Sequence, residues 1–344
     1  MKKIEIDTFL KFRFLSNPHF SPDGTKIAFT VSVPDRETNG YLSDLYLYDL
    51  GKKTVSRVTC SGDAKTWSWT AENTLIFTAA RTAALKKEKE NGTSFLYEIS
   101  PSGGEAQCIT SIPATVTGIR LLPDGRYLLT IRHDNYRDTR KKSYEVFDEL
   151  PFWANGQGIV NKKRTRLAVY DLESGSCEIV TPDYENVEAS WVEGDDTILY
   201  VSSLYTDKKD VYQGLKQYTV STGELETLVE QKDMSIDYAC ILKGKVTFFG
   251  SYMKEYGFNE NDKLYTVEDG KVELLSDYDD SVHNSICCDC KFADGVSAVH
   301  DEDKIYFIAT LRKQSVIRTF DAKGHMETIL DRQGSVHTLA KSGA

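Results

Sequence analysis

Residues 144–153 read Tyr144-Glu145-Val146-Phe147-Asp148-Glu149-Leu150-Pro151-Phe152-Trp153, two adjacent carboxylates among large aromatic and aliphatic side chains. A carboxylate accepts charge-assisted hydrogen bonds from an ammonium group, and an aromatic face attracts a cation. Asp148 and Glu149, with Phe152 and Trp153 beside them, can therefore hold a cationic group, such as a peptide amino terminus, next to an apolar pocket. The competing reading is a short amphipathic segment packed on a scaffold, with both carboxylates in water.

Other reactive side chains are less suggestive. Cys287, Cys288 and Cys290, with His283 nearby, lack the Cys-x2-Cys spacing of the common zinc sites. Strand alternation places Cys288 and Cys290 on one face and Cys287 on the other, which suits small thiols filling a packed interface. The nearest approach to a Gly-x-Ser-x-Gly nucleophile elbow is Gly295-Val296-Ser297-Ala298-Val299, with valine in place of the second glycine and no helix signal after it. The six histidines show no His-Glu-x-x-His pattern, and no phosphate loop or dinucleotide fingerprint is present. No catalytic residue, metal or cofactor is expected.

The elements that would position these residues follow from a repeat. The phrase Pro18-His19-Phe20-Ser21-Pro22-Asp23-Gly24-Thr25-Lys26-Ile27-Ala28-Phe29-Thr30 is a strand, a tight turn and a second strand. Equivalent third-strand aromatics recur at Tyr48, Tyr97, Tyr170, Tyr218, Tyr265 and Phe320, at intervals of 49, 73, 48, 47 and 55 residues. Four strand signals per unit at this period predict an all-β fold: a β-propeller of four-stranded antiparallel blades, as one domain over 1–344. Six repeats fall at about 17–60, 66–110, 117–181, 189–230, 238–276 and 288–330. First strands are expected at 18–20, 66–69, 117–121, 189–192, 238–241 and 290–292. The long third interval marks an insertion at about 133–164, and 331–344 reads as a partial seventh repeat opening with Gly334, Ser335, Val336 and His337. A long extra loop on a rigid scaffold is where function concentrates.

Composition narrows the classes. The chain has 344 residues, is 40% hydrophobic and 11% aromatic, and carries a net charge of −10. That charge argues against a nucleic-acid partner. No run approaches the roughly 18 apolar residues of a membrane span. The amino terminus lacks the apolar core of a signal peptide, and the seven cysteines show no disulfide-like spacing, so a cytoplasmic location is expected.

The phrases Phe20-Ser21-Pro22-Asp23-Gly24 and Leu122-Pro123-Asp124-Gly125 resemble the repeat of TolB-type propellers and of the prolyl oligopeptidase family. Longer stretches resemble that family's acylaminoacyl-peptidase and dipeptidyl-peptidase branch. They are Phe147-Asp148-Glu149-Leu150-Pro151-Phe152 with Asn155-Gly156-Gln157-Gly158, Arg164-Thr165-Arg166-Leu167, and Tyr256-Gly257-Phe258-Asn259-Glu260-Asn261. The resemblance implies a propeller that precedes an α/β-hydrolase domain with a Ser-Asp-His triad, admits short peptides and excludes folded proteins. It implies that Glu149 grips a substrate amine, with Asp148 beside it and Phe152 and Trp153 lining the pocket. The triad and its elbow are absent from these 344 residues, so the chain alone is expected to be inactive. The rival expectation is a stand-alone TolB-like propeller that binds protein or peptide.

Overall fold

The computed structural model describes residues 3–135, 143–268, 270–286 and 295–342. It is a six-bladed β-propeller in which each blade is a four-stranded antiparallel sheet built from consecutive strands. Blade one comprises Phe14–Phe20, Lys26–Asp35, Gly40–Asp49 and Thr54–Arg57. Blade two comprises Trp67–Trp69, Leu75–Thr78, Ser94–Ile99 and Gln107–Ile112, with a short helix, Ala83–Glu90, between its second and third strands. Blade three comprises Thr115–Leu121, Tyr127–Asp134, Lys163–Tyr170 and Cys177–Ile179. Blade four comprises Glu185–Glu193, Thr197–Leu204, Gly214–Thr219 and Glu224–Val229. Blade five comprises Ser235–Leu242, Lys245–Ser251, Lys263–Glu268 and Lys271–Ser276. Blade six comprises Ala298–His300, Lys304–Leu311, Gln314–Asp321 and Met326–Leu330.

Two compact units emerge. The first holds Met1–Pro113, Asp280–Asp321 and His325–Ala344, and so blades one, two and six. The second holds Ala114–Asp279 and Ala322–Gly324, and so blades three, four and five.

Within each unit the second and third strands form the dry core, because neighbouring blades cover both of their faces. The second strand of blade two, Leu-Ile-Phe-Thr, is buried throughout, whereas the fourth strand of blade one is exposed throughout. Aromatic pairs bind second strands to third strands. Phe77 stacks on Tyr97 with centroids 5.9 Å apart, Phe248 on Tyr265 at 5.6 Å and Phe307 on Phe320 at 5.3 Å. Such offset contacts add about 0.5–1.5 kcal/mol each to the area they bury. The recurring third-strand aromatics of the sequence are these residues and their counterparts.

Several first strands are longer than their alternation suggests. Bulges between Ser16 and His19, Val187 and Ala189, and Ile236 and Tyr238 each slip the register. An inserted residue breaks period-two alternation, which hides the strand on the far side of the bulge. The first strand of blade six is Ala298–His300, and the stretch at 290–292 expected to form it lies outside the described residues, as do Cys287, Cys288 and Cys290.

Among its described residues the tail beyond Leu330 contributes no strand and opens no seventh blade; it runs beside blade six instead. Ser315 N donates to the Gly334 carbonyl at 3.1 Å, Leu339 N to the Val296 carbonyl at 2.9 Å, and Val296 N to Thr338 Oγ1 at 3.0 Å. A lone first strand has no hairpin partner, so its backbone is satisfied on the existing sheet. Gly295 permits the approach: a Cβ there would lie 2.0 Å from the His337 carbonyl oxygen.

Candidate functional site in the blade-three insertion

The insertion joins the second and third strands of blade three, and its described part forms a flap from residue 143 to Lys162. A two-stranded hairpin, Trp153–Ala154 with Gly158–Ile159, stiffens the flap. The intervening Asn155-Gly156-Gln157 turn depends on Gly156 at φ 71° and Gly158 at φ 74°, where a side chain would be strained. The flap is tied down on blade four. Leu150 N donates to the Asp207 carbonyl at 2.7 Å, and Lys209 N donates to the Leu150 carbonyl at 2.8 Å.

The two carboxylates part company. The Glu149 side chain is fully buried, whereas that of Asp148 is 60% exposed. Arg164, at the start of the third strand, meets Glu149 fork to fork: Nη1 donates to Oε1 at 2.9 Å and Nη2 to Oε2 at 2.7 Å. Arg164 has five N–H donors, and all five are used. Nε donates to the Tyr184 carbonyl at 2.9 Å, Nη1 also to the Lys163 carbonyl at 2.9 Å, and Nη2 also to the Tyr205 carbonyl at 2.8 Å. The guanidinium lies 3.7 Å from the Tyr205 ring centroid, and burial of that ring pushes its phenol pKa up. Lys162 completes the cluster. Its backbone N–H donates to Glu149 Oε1 at 3.1 Å, and its Nζ lies 3.6 Å from Asp148 and 3.7 Å from Glu149.

Glu149 is therefore a buried structural anion whose two oxygens already accept from three protein donors. To grip a substrate amine it would have to release Arg164, which would strand a charge in the interior. Asp148 is the member of the pair that meets solvent. Phe152 and Trp153 are also exposed, at 42% and 54%, and Phe152 stacks on Phe147 with centroids 4.9 Å apart. The flap thus presents an aromatic face with one exposed carboxylate and carries its second carboxylate as an internal staple. Sequence reasoning missed Arg164 and Tyr205 as parts of this site. One signal was available: Arg164 and Arg166 lead into the apolar run Leu167-Ala168-Val169-Tyr170 of an inner strand, where an arginine drawn inside must find a buried partner.

A second carboxylate in the same unit has the opposite setting. Asp262, in the loop between the second and third strands of blade five, is pushed up to about 7 by burial and then by the negative charges of Asp237 and Glu260. Glu260 is held by hydrogen bonds from Ser251 Oγ and Glu255 N, both at 2.8 Å. The same loop exposes Tyr256 and Phe258.

No protein-family profile matches the chain. A curated relative, the "uncharacterized peptidase YuxL" of Bacillus subtilis, is 27% identical over 194 residues, which are 53% of this chain and 28% of that protein. The fold matches the acylaminoacyl peptidase of Pyrococcus horikoshii with a TM-score of 0.72 at 18% identity, over 99% of this chain and 50% of that one. It also matches the β-propeller domain of the trilobed protease of Pyrococcus furiosus, described as having an open velcro topology, with a TM-score of 0.59 at 17% identity. That match covers 97% of this chain and 88% of the other. The chain is thus similar along nearly its whole length to a peptidase propeller, and it spans about half the length of the Pyrococcus horikoshii enzyme.

Proposed function

We propose that this chain is the substrate-gating and positioning propeller of a cytoplasmic serine peptidase of the prolyl oligopeptidase family that acts on short or N-acylated peptides. In this reading an α/β-hydrolase domain of the same parent protein supplies nucleophile, base and orienting acid. The propeller selects by size and holds the peptide. The observation that carries the reading is the match of the chain, end to end, to half of an acylaminoacyl peptidase. The flap supports it. A loop pinned by a buried ion pair offers a rigid aromatic surface, and rigid anchors bind with little entropic cost. Phe152 and Trp153 contact the apolar part of the peptide, and Asp148 is the carboxylate available to a free amine. Glu149 serves by fixing the flap.

The test compares the chain alone with the parent polypeptide on aminoacyl and acyl-peptide reporters. The chain alone is expected to turn over neither. The parent is expected to turn over at least one, with KM raised by the double substitution Phe152→Ala and Trp153→Ala. Turnover by the 344-residue chain that a single substitution within it abolishes would overturn the reading.

A further inference from the structure

The tail after Leu330 lies along blade six as an extended strap. At one end, by the start of the third strand, Gln314 Nε2 donates to Asp331 Oδ1 at 2.6 Å. At the other, by the turn between the first and second strands, Lys341 Nζ lies 3.0 Å from Asp301 Oδ2. Between these ends the blade holds mostly main chain. The Ser315 N–H donates to the Gly334 carbonyl at 3.1 Å, and its hydroxyl accepts from Val336 N and reaches the Val336 carbonyl at 3.4 Å. The Val296 carbonyl, just before the first strand, accepts from Leu339 N at 2.9 Å. Two side-chain contacts add to these: Asn284 Nδ2 donates to Ser335 Oγ at 2.8 Å, and Val296 N to Thr338 Oγ1 at 3.0 Å. Among the described residues the first strand, Ala298–His300, pairs with the second strand alone, and an edge of this kind accepts a further chain.

The far end is a cation seat that the blade builds by itself. Asp301 Oδ1 accepts from Asp303 N at 2.9 Å and Lys304 N at 2.8 Å, and Tyr306 Oη donates to Oδ2 at 3.0 Å. These bonds fix the carboxylate. Lys341 then places its ammonium against Oδ2 and 5.6 Å from the Tyr306 ring centroid, within reach of the aromatic face. The strap is lightly held. None of its described residues is buried; Val336 to Leu339 are half-buried, and Asp331 to Ser335 and Ala340 are exposed. A segment fixed by hydrogen bonds at the surface, with no apolar anchor in the core, opens locally without unfolding its blade. Main-chain contacts do not read sequence, so a track that offers them accepts other extended peptides, and side-chain pockets supply the selection. Here the pocket is the seat, and Lys341 follows Val336 by five positions.

We infer that the strap occupies, in cis, a binding track on blade six for extended peptides that carry a lysine or arginine side chain, with Asp301 and Tyr306 taking the cation and Ser315 and Val296 the main chain. A peptide enters by replacing the strap, so the strap sets the affinity that an incoming peptide must exceed.

The test is fluorescence anisotropy of a labelled peptide of residues 334–342, Gly-Ser-Val-His-Thr-Leu-Ala-Lys-Ser, added to the 344-residue chain. In the double variant Val336→Pro and Leu339→Pro the strap loses two N–H donors while the track keeps its own groups. The peptide is expected to bind this variant at least about tenfold more tightly than the unaltered chain, whose strap competes at an effective concentration on the order of millimolar. On the proline variant, the same peptide carrying Lys341→Met should bind about tenfold more weakly, the scale of a charge-assisted hydrogen bond. Adding Asp301→Asn to that variant should bring the two peptides to about the same affinity. No saturable binding to the proline variant, equal affinity for it and the unaltered chain, or no loss with the methionine peptide would each overturn the inference. If the proline variant does not fold, amide exchange in the unaltered chain decides. The Val336 and Leu339 amides should exchange at least about a hundredfold faster than the Ile308 amide, which bonds to the Ser297 carbonyl at 2.8 Å. Exchange at one common rate would make the strap part of the blade and overturn the inference. Turnover by the parent protein enters none of these outcomes.

Discussion

The flap of blade three buries a carboxylate and the loop of blade five half-buries another, and they meet the cost of doing so in opposite ways. Glu149 is surrounded by donors from the Arg164 guanidinium and the Lys162 backbone. Asp262 has acidic neighbours, Asp237 and Glu260, and answers by holding its proton to about pH 7. Pairing gives a fixed loop at the price of fragility to any single change. Neutralisation gives a site whose charge depends on pH. Burial does most to raise the pKa of Asp262 and its acidic neighbours add to it, whereas Glu149 meets hydrogen-bond donors.

The largest expected effect tests the paired side. Glu149→Ala or Arg164→Met should destabilise the fold by about 3–5 kcal/mol in chemical denaturation, because the remaining partner is left charged and buried. Replacing both at once with methionine should recover most of that loss. If the single variants were no worse than the double, the staple would be idle.

Next comes the neutralised side. The folded pKa of Asp262 is raised above the unfolded value, so the folded state binds its proton more tightly. That contribution is complete below about pH 4 and is lost as pH rises through about 7. Asp262→Asn should therefore flatten the pH dependence of the melting temperature between about 4 and 7. It should also stabilise the protein at pH 8 by about 2–4 kcal/mol, on the scale of a three-unit shift. Unchanged melting curves at pH 5 and pH 8 would show that Asp262 ionises without cost.

A smaller effect is expected outside both loops. Asp301 accepts from Asp303 N at 2.9 Å, Lys304 N at 2.8 Å, Tyr306 Oη at 3.0 Å and Lys341 Nζ at 3.0 Å, and these partners hold its pKa below the usual carboxylate range. Asp301→Asn should cost about 1–2 kcal/mol and expose the tail to limited proteolysis. Smallest of all, Phe152→Ala on the exposed flap should change stability by less than about 0.5 kcal/mol. Its consequence should fall on peptide affinity, measured by titration. A large loss of stability instead would make the flap aromatics part of the core.

Much of this fold was legible in the residue order, for a physical reason. Turn glycines such as Gly24, at φ 67°, and Gly125, at φ 89°, are local requirements, and so is an apolar second strand. The aromatics at Tyr97, Tyr265 and Phe320 fall at a period that only a stacked repeat explains. The insertion was legible too, as an interval too long for its neighbours. What its residues do was not. Glu149 and Arg164 are separated by 15 positions and meet because the flap doubles back through its hairpin and is pinned on blade four. Composition cannot distinguish that carboxylate from Asp148, one position earlier.

Each blade draws its four strands from one uninterrupted stretch of chain, and blades one and six share a compact unit without exchanging a strand. Among the described residues, no main-chain ladder therefore joins a strand of blade one to a strand of blade six. A gene that encodes these residues from another blade boundary would break no sheet, so such a permutant should fold to the same six blades. A mechanical pull applied through blades one and six would separate the two sheets before it unzipped either of them.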